Sequence, residues 1–156
     1  MHKQGVAVRL EQSVEENLDA QQQGVIFDIV DEAINNARKH AKARLISVTA
    51  MRQGEMAILQ ISDNGVGFDV SRMNENYELR ASLGMVNMRE RAALIDGSIS
   101  IDSVVGRGTT ITLVLPLKPL GAVAAATGFG HPKTKLAIAA AARTDRGGGD
   151  VWQSNL

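Results

Sequence analysis

Residues 31–43, DEAINNARKHAKA, set a carboxylate, a carboxamide, an ammonium and an imidazole along one side of a single helix. At about 100° per residue, with Glu32 at the origin, Asn36 falls at about 40°, Lys39 at about −20° and His40 at about 80°. Ile26, Val30, Ala33, Ile34, Ala37 and Ala41 spread over roughly 100° to 200°, the apolar stripe of a helix packed on a core. Asp31, Arg38 and Lys42 fall on the solvated back. The four polar groups therefore border the buried face, where the wall of a cleft would stand. Taken alone, the helix also fits a simpler reading, a charged solvent face whose i, i+4 pairs contribute a few tenths of a kcal/mol.

Three further stretches carry residue types suited to a ligand. Asp63-Asn64-Gly65-Val66-Gly67-Phe68 follows a strand that ends in Leu59 and Ile61. An acidic side chain at a strand end accepts hydrogen bonds, and two glycines let backbone come close to a flat ligand. An adenine exocyclic amine is a donor of the right kind, although the same residues also make an ordinary type I turn. In SLGMVNMRERA, Gly84 stands near the expected start of a helix after a polar loop, where free amides can meet a phosphate. GRGTT at 106–110 also reads as a hairpin with a bulge.

The elements that would position these groups follow from the hydrophobic pattern. GVAVRLEQ alternates as a strand, and a helix is expected from about Val25 to Ala41. RLISVTAM and EMAILQISD form two strands joined by Arg52-Gln53-Gly54. SRMNENYELRAS has no period and reads as a mobile loop. Helical spacing returns at Gly84 to Ile95 through Met85, Met88, Ala92 and Ile95, with Gly97 expected as the C′ residue. SISIDSV and TTITLVLPL supply a last strand pair. The order β, α, β, β, loop, α, β, β implies an α+β fold with helices on one face of a largely antiparallel sheet.

The bulk composition narrows the functions. The 156 residues suit one domain with an appendage, and 44% hydrophobic content supports a core. Seventeen basic residues balance 17 acidic ones, so no global field draws the chain to nucleic acid or to an anionic membrane. The absence of cysteine excludes disulfides and thiol catalysis, and three scattered histidines do not make a metal cluster. With no apolar run long enough for a bilayer, a cytoplasmic location is expected. Residues 118–156 hold nine Ala and six Gly with few large apolar groups, so they are expected to form a loosely ordered tail beyond a domain at 1–117.

DEAINNARKHAKA, DNGVGFD, SLGMVNMRERAALIDG and GRGTTITLVLPL, in that order, resemble the asparagine box, the two glycine boxes and the terminal Gly-Thr motif of the histidine-kinase ATPase domain. The resemblance covers about residues 5 to 117 and is nearest to sensor kinases with KHA and MRERA signatures. It implies the two-layer α/β sandwich called the Bergerat fold. It also implies ATP as ligand, with Asn36 supplying an oxygen to Mg²⁺. Glu32 would be the acid-base or polarising group near the γ-phosphate, with Lys39 and His40 facing the phosphates. Asp63 would read the adenine amine, Gly65 and Gly67 would admit the ring, and Thr109 would support it. Gly84 and Met85 would close over the phosphates. Where many kinases have a further glycine, Ser82 stands here two residues before Gly84, a departure from the family pattern in the lid.

The same resemblance implies partners. A sensor kinase of this kind transfers phosphate to a histidine on a helical dimerisation and acceptor domain, and through it to a response regulator. His2, His40 and His131 are the chain's only histidines, and none lies in a long amphipathic hairpin. The expectation is a catalytic module that acts on a separate acceptor domain. The alternatives are a nucleotide-responsive binding module and a serine kinase of the anti-sigma type.

Overall fold

The computed structural model describes residues 5–10, 18–72 and 79–118. The side chains of residues 5–10 and 72–82 lie outside that description. Residues 119–156 of the expected tail, and His2 and His131, lie outside the described residues too.

Five strands build one sheet: β1 (Gly5–Leu10), β2 (Leu45–Gln53), β3 (Met56–Asp63), β4 (Ser98–Val104) and β5 (Gly108–Pro116). Their order is β1-β2-β3-β5-β4. β1 runs parallel to β2 and every other pair is antiparallel, so the sheet is mixed and mostly antiparallel, as expected. Alternation decides which face is inside. Ile46, Val48 and Ala50, then Ala57, Leu59 and Ile61, then Ile111, Leu113 and Leu115 are buried on one face. The other face carries half-buried Ser47, Thr49, Gln60, Ser62, Thr110 and Thr112.

Two helices cover the apolar face, giving the two-layer α+β arrangement. Helix α1 (Ala20–Lys39) buries Val25, Ile26, Ile29, Val30, Ala33, Ile34 and Ala37, so the expected stripe is the one that packs. Burying each large aliphatic side chain contributes about 1.5–3 kcal/mol. The helix begins five residues before the expected Val25. Asp19 is its N-cap and accepts the Gln22 N–H at 2.8 Å, while Gln22 Oε1 takes the Asp19 N–H at 3.0 Å. This capping box satisfies two end donors at once. Gln22 is also buried, and its Nε2 donates to the Pro116 carbonyl at 2.9 Å, tying the helix start to the end of β5.

Helix α2 (Leu79–Ala93) corrects two expectations. It starts at Leu79, within the stretch read as loop, so Gly84 lies inside the helix and not at its free N-terminus. The amides left without intrahelical partners belong to the first turn, four residues or so from residue 79. At the other end Asp96, with φ 55°, takes the left-handed C′ position expected of Gly97. The Gly97 N–H reaches Ala92 O at 2.9 Å and the Asp96 N–H reaches Ala93 O at 3.2 Å, a Schellman cap with Gly97 at C″. Short acidic side chains tolerate that backbone region. One residue later, at Gly97, a Cβ would make tight contacts of 3.1 Å with both Ala92 O and Val114 O.

Candidate nucleotide site

Asp63 ends β3, and the sheet register sets it opposite Thr109 of β5, which in turn stands opposite Ser103 of β4. Cross-strand partners present their side chains on the same face, so the three form one row at the edge of the core. The loop after Asp63 is bolted to three neighbours. The Asp63 carboxylate accepts the Gly65 N–H at 2.8 Å, closing an Asx turn. Asn64 Oδ1 takes the N–H groups of both Arg44 and Leu45 at 2.9 Å. The Val66 N–H donates to Ala41 O at 2.8 Å, and the Gly106 N–H to Val66 O at 2.7 Å. Little room is left for side chains in this stretch. A Cβ on Gly65 would lie 2.3 Å from Ala41 O, and one on Gly67, at φ +61°, would lie 2.1 Å from Val104 O.

A cavity of about 40 Å³ opens between this row and α1. Ala33, Asn36, Ala37, His40 and Ala41 form the helical wall; Asp63, Val66, Gly67, Phe68, Thr109 and Ile111 form the sheet side; and Met85 of α2 caps it. Six residues singled out from the sequence thus meet in one place: Asn36, His40, Asp63, Gly67, Met85 and Thr109. Four others stand apart from the lining. Gly65 is buried beneath Ala41, Lys39 is exposed, and Glu32 and Gly84 pack on each other at the pocket's edge. A Cβ on Gly84 would sit 2.3 Å from Glu32 Oε1 and 3.5 Å from Asn36 Nδ2. Gly84 therefore lets α2 lie directly on the carboxylate and amide of α1.

Electrostatics follow from burial. Desolvation pushes the Asp63 carboxyl above its ordinary value, against the opposing pull of the Gly65 and Thr109 backbone N–H groups. Asn36 Nδ2 is buried without a hydrogen-bond partner. Since amide orientation follows the surrounding network, a half-turn of this amide would present Oδ1 at the same point. A single hard oxygen beside space for phosphates and waters suits Mg²⁺, which seldom takes an all-protein cage. Among the described residues no cluster of three or more His, Cys, Asp or Glu offers such a cage.

Sequence reasoning missed several contributors. Ala33, Ala37 and Ala41 belong to the core as expected and also line the pocket, a second role for which their spacing of four with no side chain beyond Cβ was the available signal. Ser103 links the row to the loop, accepting the Phe68 N–H at 2.9 Å and standing 2.9 Å from Thr109 Oγ1. Arg91, within the MRERA stretch, pairs with Asp28 and clamps α2 to α1.

The family model for histidine kinase-, DNA gyrase B- and HSP90-like ATPases matches residues 21–119. An uncharacterized sensor-like histidine kinase of Chloroflexus aurantiacus is 41% identical over 102 residues, 65% of this chain and 17% of that protein. The signal transduction histidine-protein kinase/phosphatase DegS of Bacillus subtilis is 36% identical over 103 residues, 66% of this chain and 26% of that protein. The chain therefore spans about a quarter or less of the length of these relatives. Among solved structures, the histidine kinase domain of the blue-light activated histidine kinase EL346 of Erythrobacter litoralis superposes with a TM-score of 0.56 at 20% identity, over 89% of this chain and 57% of that one. The ATP binding domain of PrrB from Mycobacterium tuberculosis gives 0.51 at 27% identity, over 62% of this chain and 69% of that one.

Proposed function

The chain belongs to the histidine kinase-, DNA gyrase B- and HSP90-like ATPase family, and from that premise we propose that it binds Mg·ATP and transfers the γ-phosphoryl group to a histidine on a separate dimerisation and acceptor domain. The observation that carries the reading is the convergence of Asn36, His40, Asp63, Met85 and Thr109, drawn from four separated motifs, on one cavity. Asp63 accepts from the adenine amine, while the alanine wall of α1 and Ile111 sandwich the ring. Asn36 and His40 line the wall, with Glu32 one turn before Asn36 on the side to which the phosphates extend, and exposed Lys39, next to His40, is an outlying cation facing them. Bound Mg²⁺ supplies charge neutralisation to the phosphates, and Asn36 is the residue that would hold it.

In transfer, the bond between the γ-phosphorus and the β-bridging oxygen breaks, a phosphorus–nitrogen bond forms to the acceptor imidazole, and ADP leaves. Glu32 is the residue that would take or polarise the imidazole proton. The cavity of about 40 Å³ accepts a few waters, less than a purine needs, so Met85, which lines it, gives way as the base enters. A response regulator is the onward recipient, and a cytoplasmic location suits this role. Among the described residues no helix is long and apolar enough to cross a membrane.

The test is incubation with γ-labelled ATP, with and without a helical acceptor domain from a sensor kinase. Acid-labile, base-stable label on the acceptor is expected. Asn36→Ala should lose most transfer through the metal. Glu32→Gln should keep ATP affinity and impair transfer, because it preserves shape and removes charge. Acid-stable, base-labile label on a serine would instead point to an anti-sigma-type kinase, and tight ATP binding with no transfer to a nucleotide-responsive binding module.

A further inference from the structure

Ser103 belongs to none of the nucleotide motifs, yet its hydroxyl meets three partners. The Phe68 N–H donates to it at 2.9 Å, Gly108 O lies 3.1 Å away, and Thr109 Oγ1 lies 2.9 Å away. A serine hydroxyl owns one hydrogen and accepts through two lone pairs. Gly108 O has no hydrogen to give, so that contact uses the hydrogen of Ser103. The Thr109 contact must then use the hydrogen of Thr109. Ser103 is thereby complete, with one bond donated and two accepted, and Thr109 has spent its only donor. What Thr109 can still offer the pocket is lone pairs. Its cross-strand neighbour Asp63, when ionised, is likewise an acceptor alone.

We infer that Ser103 is a specificity-determining residue of the base pocket: by drawing the Thr109 hydrogen toward itself it makes the Asp63–Thr109 edge an all-acceptor surface, which admits a base with an amino group at its reading edge and rejects one with a carbonyl there. The inference rests on the nucleotide reading of the pocket. Adenine carries an amine at that edge, and hypoxanthine carries an oxygen in the same place. Without the Ser103 hydroxyl, the Thr109 hydrogen is free to turn inward and satisfy a carbonyl, so discrimination falls.

The experiment is calorimetric titration of the full chain with Mg·ATP and with magnesium inosine triphosphate. Wild type should prefer ATP, and Ser103→Ala should lower that preference at least about fivefold, the low end for one mispaired polar contact. Ser103→Thr, which keeps a hydroxyl, should retain it. Thr109→Val should lower the preference without disturbing the bond to Phe68, and adding Ser103→Ala to it should change the preference no further. A purely structural role predicts that Ser103→Ala weakens both nucleotides in equal proportion, and that result would overturn the inference. If Ser103→Ala does not fold, an unchanged preference in Thr109→Val overturns it instead. Failure of wild type to bind either nucleotide would sink the pocket assignment and this inference with it, a result distinct from ATP binding with an unaltered preference.

Discussion

Asp63 holds a charge where burial opposes one. Its carboxyl is pushed up by desolvation and only partly rescued by the N–H groups of Gly65 and Thr109, so the ionised form costs folding free energy. For a carboxyl raised in the folded state, that cost is present above the folded pKa and disappears as pH falls below the unfolded value. Asp63→Asn keeps an oxygen for the Gly65 N–H and removes the charge, so the variant should melt slightly higher than wild type at pH 7, with the gap closing on acidification. ATP should respond in the opposite sense. An acceptor aimed at the adenine amine becomes partly a donor, and one lost polar match weakens binding by about 5- to 150-fold. Thermal melts at several pH values and calorimetry on the same two proteins check both halves; equal ATP affinity, or a less stable variant at pH 7, would count against the role given to this residue. The carboxylate's place at a strand end was legible in DNGVG, but its partners were not. Thr109 and Ser103 reach it only through register between strands far apart in sequence.

The helices show where legibility ran out. The apolar period of α1 was plain from Ile26 onward, so its buried face was readable, whereas its first turn carries only Ala and Gln and hides behind no period. The Asp19-x-x-Gln22 box was the signal that marked its start. Asp19 also pairs with Lys118. Burial raises the Asp19 carboxyl, yet the N–H groups of Gln22 and Gln21 together with Lys118 outweigh it and hold the group below its ordinary value. A depressed carboxyl contributes stability that is present above the unfolded pKa and is lost as pH falls through the folded one. Asp19→Ala should therefore cost about 0.5–2 kcal/mol at neutral pH. The difference from wild type should shrink in acid, below the usual carboxylate range. Urea melts at pH 7 and below pH 4, the ordinary carboxylate value being about 3.9, measure it, and a deficit that persists unchanged in acid would mean that the cap's charge is irrelevant. The first turns of α2 were illegible for a different reason. Residues 79–83, LRASL, present no stripe by themselves, and what brings Gly84 onto α1 is a steric fit to Glu32 that only the folded pair creates.

At the scale of the whole molecule, the order of the strands decides how much chain the domain needs. β5, the last strand in sequence, is not an edge; it lies between β3 and β4, so the sheet closes only when residues 108–116 are in place. Two short ties follow it: the Leu117 N–H donates to Glu55 O at 2.7 Å, and Lys118 reaches Asp19 at the head of α1. The family match ends at residue 119, in step with those ties. The Ala- and Gly-rich composition beyond lacks the pattern of a further layer, which is what placed the boundary near this point in the sequence; the Lys118–Asp19 pair lies one residue past it, and no pattern in the chain reveals a contact between residues 19 and 118. Removing residues 119–156 should leave the melting temperature and the Mg·ATP dissociation constant essentially unchanged. Ending the chain at Pro116 also removes both ties, a hydrogen bond and a half-exposed ion pair worth together roughly 1–2 kcal/mol, so that shorter protein should melt lower by several degrees while still binding nucleotide, because among the described residues no pocket residue lies beyond Ile111. Calorimetric melts and ATP titrations of the three lengths decide the matter. Loss of folding or of ATP binding on truncation after Lys118 would make the C-terminal segment an integral part of the domain, and a Pro116 truncation as stable as the full chain would deny the ties any weight.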